Sequence, residues 1–254
     1  MKDTPNWMGR TAIVTGATSG IGLATATALA TQGAKVLITG RDQGKLAQAV
    51  TIADGLHGLE ADATDPSTSE HLVAKALDLW GRLDLVVNNA GAGHPLPIEA
   101  YDADALMHMC AANIVTPSLL VKAAQDALSE TKGAIVNIGS AVVHGAAPML
   151  AHYAATKAAL EHLTKSWAVE LAGEGIRVNA VAPGPVKSGA LMGMMGLPAE
   201  MAQQIEEKER TQVPLGRRGE TDDIVPWVLR LGHSDNAWLT GQVVTVDGGW
   251  SLRG

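Results

Sequence analysis

The sequence predicts an α/β protein: a doubly wound, seven-stranded parallel sheet with helices on both faces, in three layers. Three observations carry this. Seven short apolar runs alternate with stretches of helical periodicity along the 254 residues. The first run, Ala12-Ile13-Val14, feeds a glycine-rich turn and then an alanine-rich helical stretch. Polar residues suited to ligand binding recur at the carboxyl ends of the runs, the edge at which open parallel sheets bind ligands.

Taken in order, strands are expected near 10–15, 34–39, 56–61, 83–88, 133–139, 176–182 and 242–246. Helices are expected near 20–32, 42–54, 66–80, 101–129, 151–173 and 221–232. The second strand ends at Ile38-Thr39-Gly40-Arg41-Asp42 and the third at Asp62. The fourth ends at Asn88-Asn89-Ala90-Gly91 and the fifth at Ser140. Right-handed crossovers then place helices on both faces of one sheet. No repeat, low-complexity tract or linker divides the chain, so one domain is expected over residues 1–254. With no phenylalanine at all, the core must be filled by Ala, Val, Leu, Ile and Met.

Composition narrows the function classes. A net charge of −7 disfavours nucleic acid and anionic membranes as partners. The longest basic cluster is Arg217-Arg218, expected on a solvated turn. The lone Cys110 excludes an intrachain disulfide and suits a reducing, cytoplasmic setting; it reads as a small apolar helix residue. The start, Met1-Lys-Asp-Thr-Pro-Asn-Trp7, lacks the apolar core of a secretory signal. The longest stretch without Lys, Arg, Asp or Glu, Gly133 to Thr156, carries Asn137, Ser140, His144, Pro148 and His152 and is not read as a membrane span.

Two segments suggest chemistry. In Thr15-Gly16-Ala17-Thr18-Ser19-Gly20-Ile21-Gly22, glycines permit a tight turn and close approach to a ligand, and the N–H groups of the following helix attract an anion such as pyrophosphate. A nucleoside-triphosphate loop would carry Lys-Ser or Lys-Thr after its last glycine, where Leu23-Ala24 stand here. In Tyr153-Ala-Ala-Thr-Lys157, helical spacing i, i+4 sets a phenol beside an ammonium. A fixed cation makes a phenol, with an ordinary pKa of about 10, easier to deprotonate.

With T-G-x-x-x-G-x-G at 15–22, N-N-A-G at 88–91, Asn113, Ser140, Y-x-x-x-K at 153–157, Pro183-Gly184 and Asp247-Gly248-Gly249, the chain resembles the short-chain dehydrogenase/reductase family over nearly its whole length. It is too short for the added substrate domain of extended members, and Ser188 stands where the family commonly has a threonine. The resemblance implies a Rossmann-type fold and a nicotinamide cofactor bound by Gly16, Thr18, Ser19, Gly20, Ile21, Arg41, Asp62, Ala63, Asn89, Ala90, Gly91, Pro183, Gly184, Val186 and Ser188, with Tyr153 and Lys157. It implies that Tyr153 is the acid or base toward a carbonyl or alcohol, that Lys157 lowers the phenol's pKa and holds the nicotinamide ribose, that Ser140 donates to the substrate oxygen, and that Asn113 anchors a water reaching Lys157. Asp62 would accept from the adenine amino group.

Where NAD enzymes of this type place a carboxylate after the second strand, Gly40 stands, and Arg41 follows to grip a 2′-phosphate. NADP(H) is therefore favoured, with NAD(H) as the alternative. Residues 187–212 would form a lid over the substrate, with the cavity lined by Gly93, His94, Val142, His144, Met149, Leu191, Met192 and Met195; the methionines suit an adaptable apolar pocket. The histidines lack spaced partners, so no metal is expected. The expected reaction interconverts a ketone and a secondary alcohol. A 3-oxoacyl-[acyl-carrier-protein] reductase is the alternative, weakened by Asp102 and Asp104 on the would-be docking helix, and a non-catalytic NAD(P) sensor is opposed by the intact Ser140, Tyr153, Lys157 and Asn113. Small residues Ala123, Ala124, Ala127, Ala154, Ala158 and Ala159, and the segment Trp250-Ser-Leu-Arg-Gly, are expected at two-fold interfaces of a homotetramer, with a dimer as runner-up.

Overall fold

Seven parallel strands form one sheet in the computed structural model, which describes residues 6–252. Met1 to Pro5, and Arg253 and Gly254 of the segment expected at an interface, lie outside the described residues. The strands are β1 (Thr11–Val14), β2 (Lys35–Gly40), β3 (Leu56–Glu60), β4 (Leu85–Asn88), β5 (Ala134–Ile138), β6 (Arg177–Pro183) and β7 (Val243–Val246). Their order is β3-β2-β1-β4-β5-β6-β7. The central strands β1, β4, β5 and β6 are buried throughout, as strands covered on both faces must be, while the edge strands β3 and β7 are partly exposed. Connections leave β1 toward β2 on one side and reach β4 on the other, so a crevice opens at the carboxyl ends of β1 and β4.

The helices are α1 (Gly20–Thr31), α2 (Gln43–Ala49), α3 (Thr68–Trp80), α4 (Ala103–Cys110), α5 (Thr116–Thr131), α6 (Ala151–Glu170), α7 (Ala190–Gly193), α8 (Ala199–Gln212) and α9 (Thr221–Gly232). Successive strand residues point to opposite faces and build two cores. Ala12, Val14 and Ile38 pack with Leu29 of α1 and Val228 of α9. Ile13, Val86 and Ile135 pack with Leu72 of α3, Leu120 and Leu128 of α5 and Ala168 of α6.

Several expectations change. The helix expected at 42–54 ends at Ala49. The single helix expected at 101–129 is α4 and α5 joined by a π turn, Ala111–Val115, at Asn113. This run is long and apolar enough, by length and composition, to cross a bilayer, but here its inner face packs on the sheet and buries Asn113. Residues 187–212 carry α7 and α8, helices missing from the expected pattern; α8 buries only Ala202, so it lacks the apolar stripe by which a helix is read. Arg217 is on the surface as expected, but Arg218 is only 5% exposed. Ala124 and Ala127 belong to the α5 core and are not available for an interface.

Candidate active site

The glycine turn is built against the turn that follows β4. Gly16 has φ +61°, and a Cβ there would lie 2.8 Å from the Ala90 Cα; at Gly22 it would lie 2.3 Å from the Asn89 amide. Thr15 Oγ1 accepts from the N–H groups of Asn89 (3.1 Å) and Ala90 (3.0 Å), and Asn89 Nδ2 donates to the carbonyls of Thr15 and Gly16. The Asn89 side chain thus acts as a brace between turns. Asn88 donates to Asn137 Oδ1, and Asn137 donates to Thr164 on α6, tying β4, β5 and α6 at one level. Ser19, the residue before α1, makes no side-chain cap, and the first turn has no acidic residue. The helix N–H groups there are left to meet an anion.

Beside the turn, Thr15, Thr39, Ala61, Ala63, Ala90 and Thr116 line a small cavity. Thr116 Oγ1 is buried in it without a hydrogen-bond partner. At its rim, burial raises the Asp62 carboxyl, but bonds from the Thr64 backbone and hydroxyl, with the Arg41 charge, outweigh this and hold it below its ordinary value. Gly40 has Thr18 directly above it. A bare anion-facing turn, an orphaned hydroxyl, and the Asp62 carboxylate with the Arg41 charge in its vicinity fit the phosphates and adenosine of a dinucleotide.

On the other side of the crevice α6 presents Tyr153 and Lys157. Lys157 is 4% exposed, and its Nζ donates to the Ile138 carbonyl at 2.9 Å. Burial pushes its ammonium down to about 8, opposed by Glu161. Burial also raises the Tyr153 phenol, opposed by its hydrogen bond with Ser140. The expected depression of the phenol by Lys157 is therefore not what this geometry produces: Nζ lies 6.0 Å from the ring centroid and is directed at Ile138. Ser140 Oγ also accepts from the Val142 N–H. A Cβ on Gly91 would stand 2.9 Å from Asn113 Oδ1 and 3.3 Å from Lys157 Nζ, and one on Gly93 would strike the Tyr153 ring at 2.4 Å, so both glycines keep backbone close to the reactive side chains.

Asn113 sits in the π turn, a distortion frequent at functional sites. Its Oδ1 accepts from Ala92 N, and its Nδ2 donates to Ala92 O and Thr156 Oγ1. The side chain thus clamps the 91–93 loop to α6. At the loop beyond, Met149 takes the left-handed φ of +65° and its carbonyl accepts from Leu96 N at 2.7 Å. His144, expected with Met149 in the pocket, bonds Thr245 Oγ1 on β7 through Nε2. His94 is half-buried; Leu191 is buried and Met192 exposed on α7, with Met195 just beyond.

Pro183 ends β6, and Gly184, Val186 and Ser188 follow it. A Cβ on Gly184 would lie 2.5 Å from the Asp247 Cβ, and Asp247 caps the Gly249 and Ser251 N–H groups, which accounts for the Asp-Gly-Gly run. Ser188 reaches back to the glycine turn, its carbonyl 2.8 Å from a Cβ placed on Gly20. Two groups escaped the sequence reading. Glu161, two turns along α6 from Tyr153, has a buried Oε1 without a hydrogen-bond partner. Burial raises its carboxyl against His144, the Ser140 N–H, Lys165 and Lys157. Its i, i+4 spacing from Lys157 was the available signal. Arg218 had no signal in the sequence pattern.

A family model described as enoyl-(acyl carrier protein) reductase matches residues 16–251. The chain is 33% identical to the 3-oxoacyl-[acyl-carrier-protein] reductase FabG of Thermotoga maritima, covering 95% of this chain and 97% of that one. A short-chain dehydrogenase/reductase of unknown function from Caenorhabditis elegans, solved with cofactor, superposes with a TM-score of 0.91 at 32% identity, covering 98% and 97%. A 3-ketoacyl-(acyl-carrier-protein) reductase from Brucella melitensis complexed with NADH superposes with a TM-score of 0.88 at 30% identity, covering 96% and 99%.

Proposed function

The chain belongs to the short-chain dehydrogenase/reductase family, and within it we propose an NADP(H)-favouring enzyme that interconverts a ketone and a secondary alcohol, with Tyr153 as its acid or base. The observation that carries the reading is the gathering at one edge of the crevice of Ser140, just after β5, and of Tyr153 and Lys157 on α6, with Lys157 buried and held on the Ile138 carbonyl. When bound, the nicotinamide supplies or accepts hydride. Gly16, Thr18, Ser19, Gly20 and Ile21 would hold its phosphates, Asp62, Ala63 and Ala90 its adenine, Arg41 the 2′-phosphate, and Val186 and Ser188, after Pro183-Gly184, the nicotinamide side. Asn89 would hold the turn rather than the cofactor.

Tyr153 holds its proton at neutral pH because burial raises its pKa, which suits a donor to the carbonyl oxygen. Ser140 donates to the same oxygen and stabilises the charge that grows on it. Lys157 orients the ribose and carries charge near the phenol, and Asn113, which holds the Ala92 backbone, would anchor a water that reaches Lys157 and resupplies the proton. The assembly we favour is a homotetramer, with a dimer as second choice, and the setting cytoplasmic.

A 3-oxoacyl thioester is the second substrate reading, favoured by the names of the Thermotoga and Brucella relatives. Kinetics with small ketones and acyl thioesters separates the two. Replacing Tyr153 with Phe tests the common mechanism. Turnover should fall on the order of 10²-fold or more while NADPH affinity stays within a few-fold, since only the proton is removed. Wild-type turnover in steady state would rule out the assigned acid.

A further inference from the structure

Arg218 lies in the turn before α9 and is 5% exposed. A buried guanidinium is costly unless its charge is paired and its N–H groups are bonded. Here the charge is paired twice, with Nε 3.0 Å from Glu209 Oε2 and Nη1 against Glu206, and Nη2 donates a hydrogen bond to the Val186 carbonyl at 3.0 Å. Glu206 and Glu209 are three apart on α8, one turn of the same face. Beyond these two acids α8 has little hold on the protein, since only Ala202 of its own residues is buried.

Val186 belongs to the segment after β6. That segment is bridged to the Arg218 turn by backbone bonds from Lys187 N to Gly219 O (2.9 Å) and from Gly219 N to Pro185 O (2.8 Å). Lys187 pairs with Glu220 at 2.6 Å, and the Ser188 carbonyl closes over Gly20. The neighbouring Arg217 faces outward onto Asp223 and takes no part. One buried side chain therefore joins α8 to the loop whose Ser188 closes on the glycine turn.

We propose that Arg218 is a positioning residue that sets the Val186–Ser188 loop for the cofactor and makes the seating of α8 depend on that loop. This rests on the cofactor reading above. Any cofactor that orders residues 186–188 then holds the Val186 carbonyl in place for Arg218, and Arg218 in turn holds α8 through both carboxylates. Without the cofactor, the same ties keep α8 loosely docked.

The test uses the full chain with R218L, R218K and the double variant E206Q/E209Q. NADPH affinity is read by transfer of protein fluorescence to the nicotinamide, and amide hydrogen exchange is followed over residues 199–212 with and without NADPH. In R218L we expect NADPH to bind about tenfold more weakly, the loss of one charge-assisted bond. We also expect about tenfold faster exchange in 199–212 without cofactor, and the loss of the further slowing that NADPH produces in the wild type. The melting temperature should stay within about 5 °C, because Glu206 and Glu209 both retain access to water. E206Q/E209Q should free α8 while keeping near-normal NADPH affinity, and R218K should restore part of both effects. Wild-type affinity together with undiminished NADPH-dependent protection in R218L would overturn the proposal, as would unchanged exchange in cofactor-free R218L. Should R218L fail to fold, an E206Q/E209Q protein whose α8 exchanges like wild type would overturn it equally. Failure of the wild type to bind either nicotinamide cofactor would refute the functional reading instead, and the cofactor-free exchange would still decide whether Arg218 holds α8.

Discussion

Arg41 follows β2 with Gly40 before it, and its charge helps to hold the Asp62 carboxyl below its ordinary value, in the region we propose for the adenosine. An unpaired 2′-phosphate there meets a planar cation and no carboxylate at position 40, which is the electrostatic case for NADP(H). Arg41→Ala should weaken NADPH at least about tenfold and leave NADH nearly unchanged, as read from the two dissociation constants. An unaltered ratio would mean that Arg41 does not read the phosphate. Adding Gly40→Asp should swing the preference further toward NADH, but the new Cβ would stand 2.4 Å from Thr18 Cγ2, so Thr18 must rotate first. The sequence shows which residue is missing at position 40; that Thr18 fills its place is visible only after folding.

At the scale of an element, α6 carries Tyr153, Lys157 and Glu161 along one face at successive i, i+4 positions. Lys157 is charged below about pH 8 and neutral above it, and the carboxylate of Glu161 is what opposes burial in setting that value. Tyr153, raised by burial, stays protonated through the same range. Reductive kcat/KM should therefore be level near neutrality and fall as pH rises through about 8. In Glu161→Gln the ammonium loses its support, so the alkaline limb should move to lower pH, with Glu161→Asp restoring much of it. A pH–rate profile identical to wild type would exclude this coupling. The phenol–ammonium spacing was legible in the sequence, yet its expected consequence was not, because the direction of Lys157 toward Ile138 depends on how closely β5 approaches α6. The π turn was equally hidden: nothing in the local pattern marks one extra residue per turn, and it is held by Asn113 bonding Ala92, far along the chain.

For the whole molecule, α5 and α6 contribute to the same core on one face of the sheet, and α6 carries Ala154 and Ala159, partly exposed, and Ala158, exposed. Exposed Val169 and Trp238 add apolar surface near α6 and β7. We expect light scattering coupled to size exclusion to give a multiple of the 26.3 kDa chain, four-fold in the favoured case. Ala158→Arg should reduce that mass by placing unpaired charge in a close helix seam. A wild-type mass of one chain would end the idea.

What the sequence determined by itself was whatever short-range rules express: the seven strands, from apolar runs bounded by turn residues; the glycine turn, from backbone freedom; and the Tyr153 and Lys157 face, from helical period. Tertiary structure decided what depends on partners distant in the chain. It buried Arg218 between α8 and Val186 although a pair of arginines in an acidic chain reads as surface, because two carboxylates and a carbonyl from other segments compensate its charge. It turned His144 to Thr245 and set α8 in place without an apolar stripe. Desolvation and pairing are properties of the folded neighbourhood, so they become legible only when that neighbourhood exists.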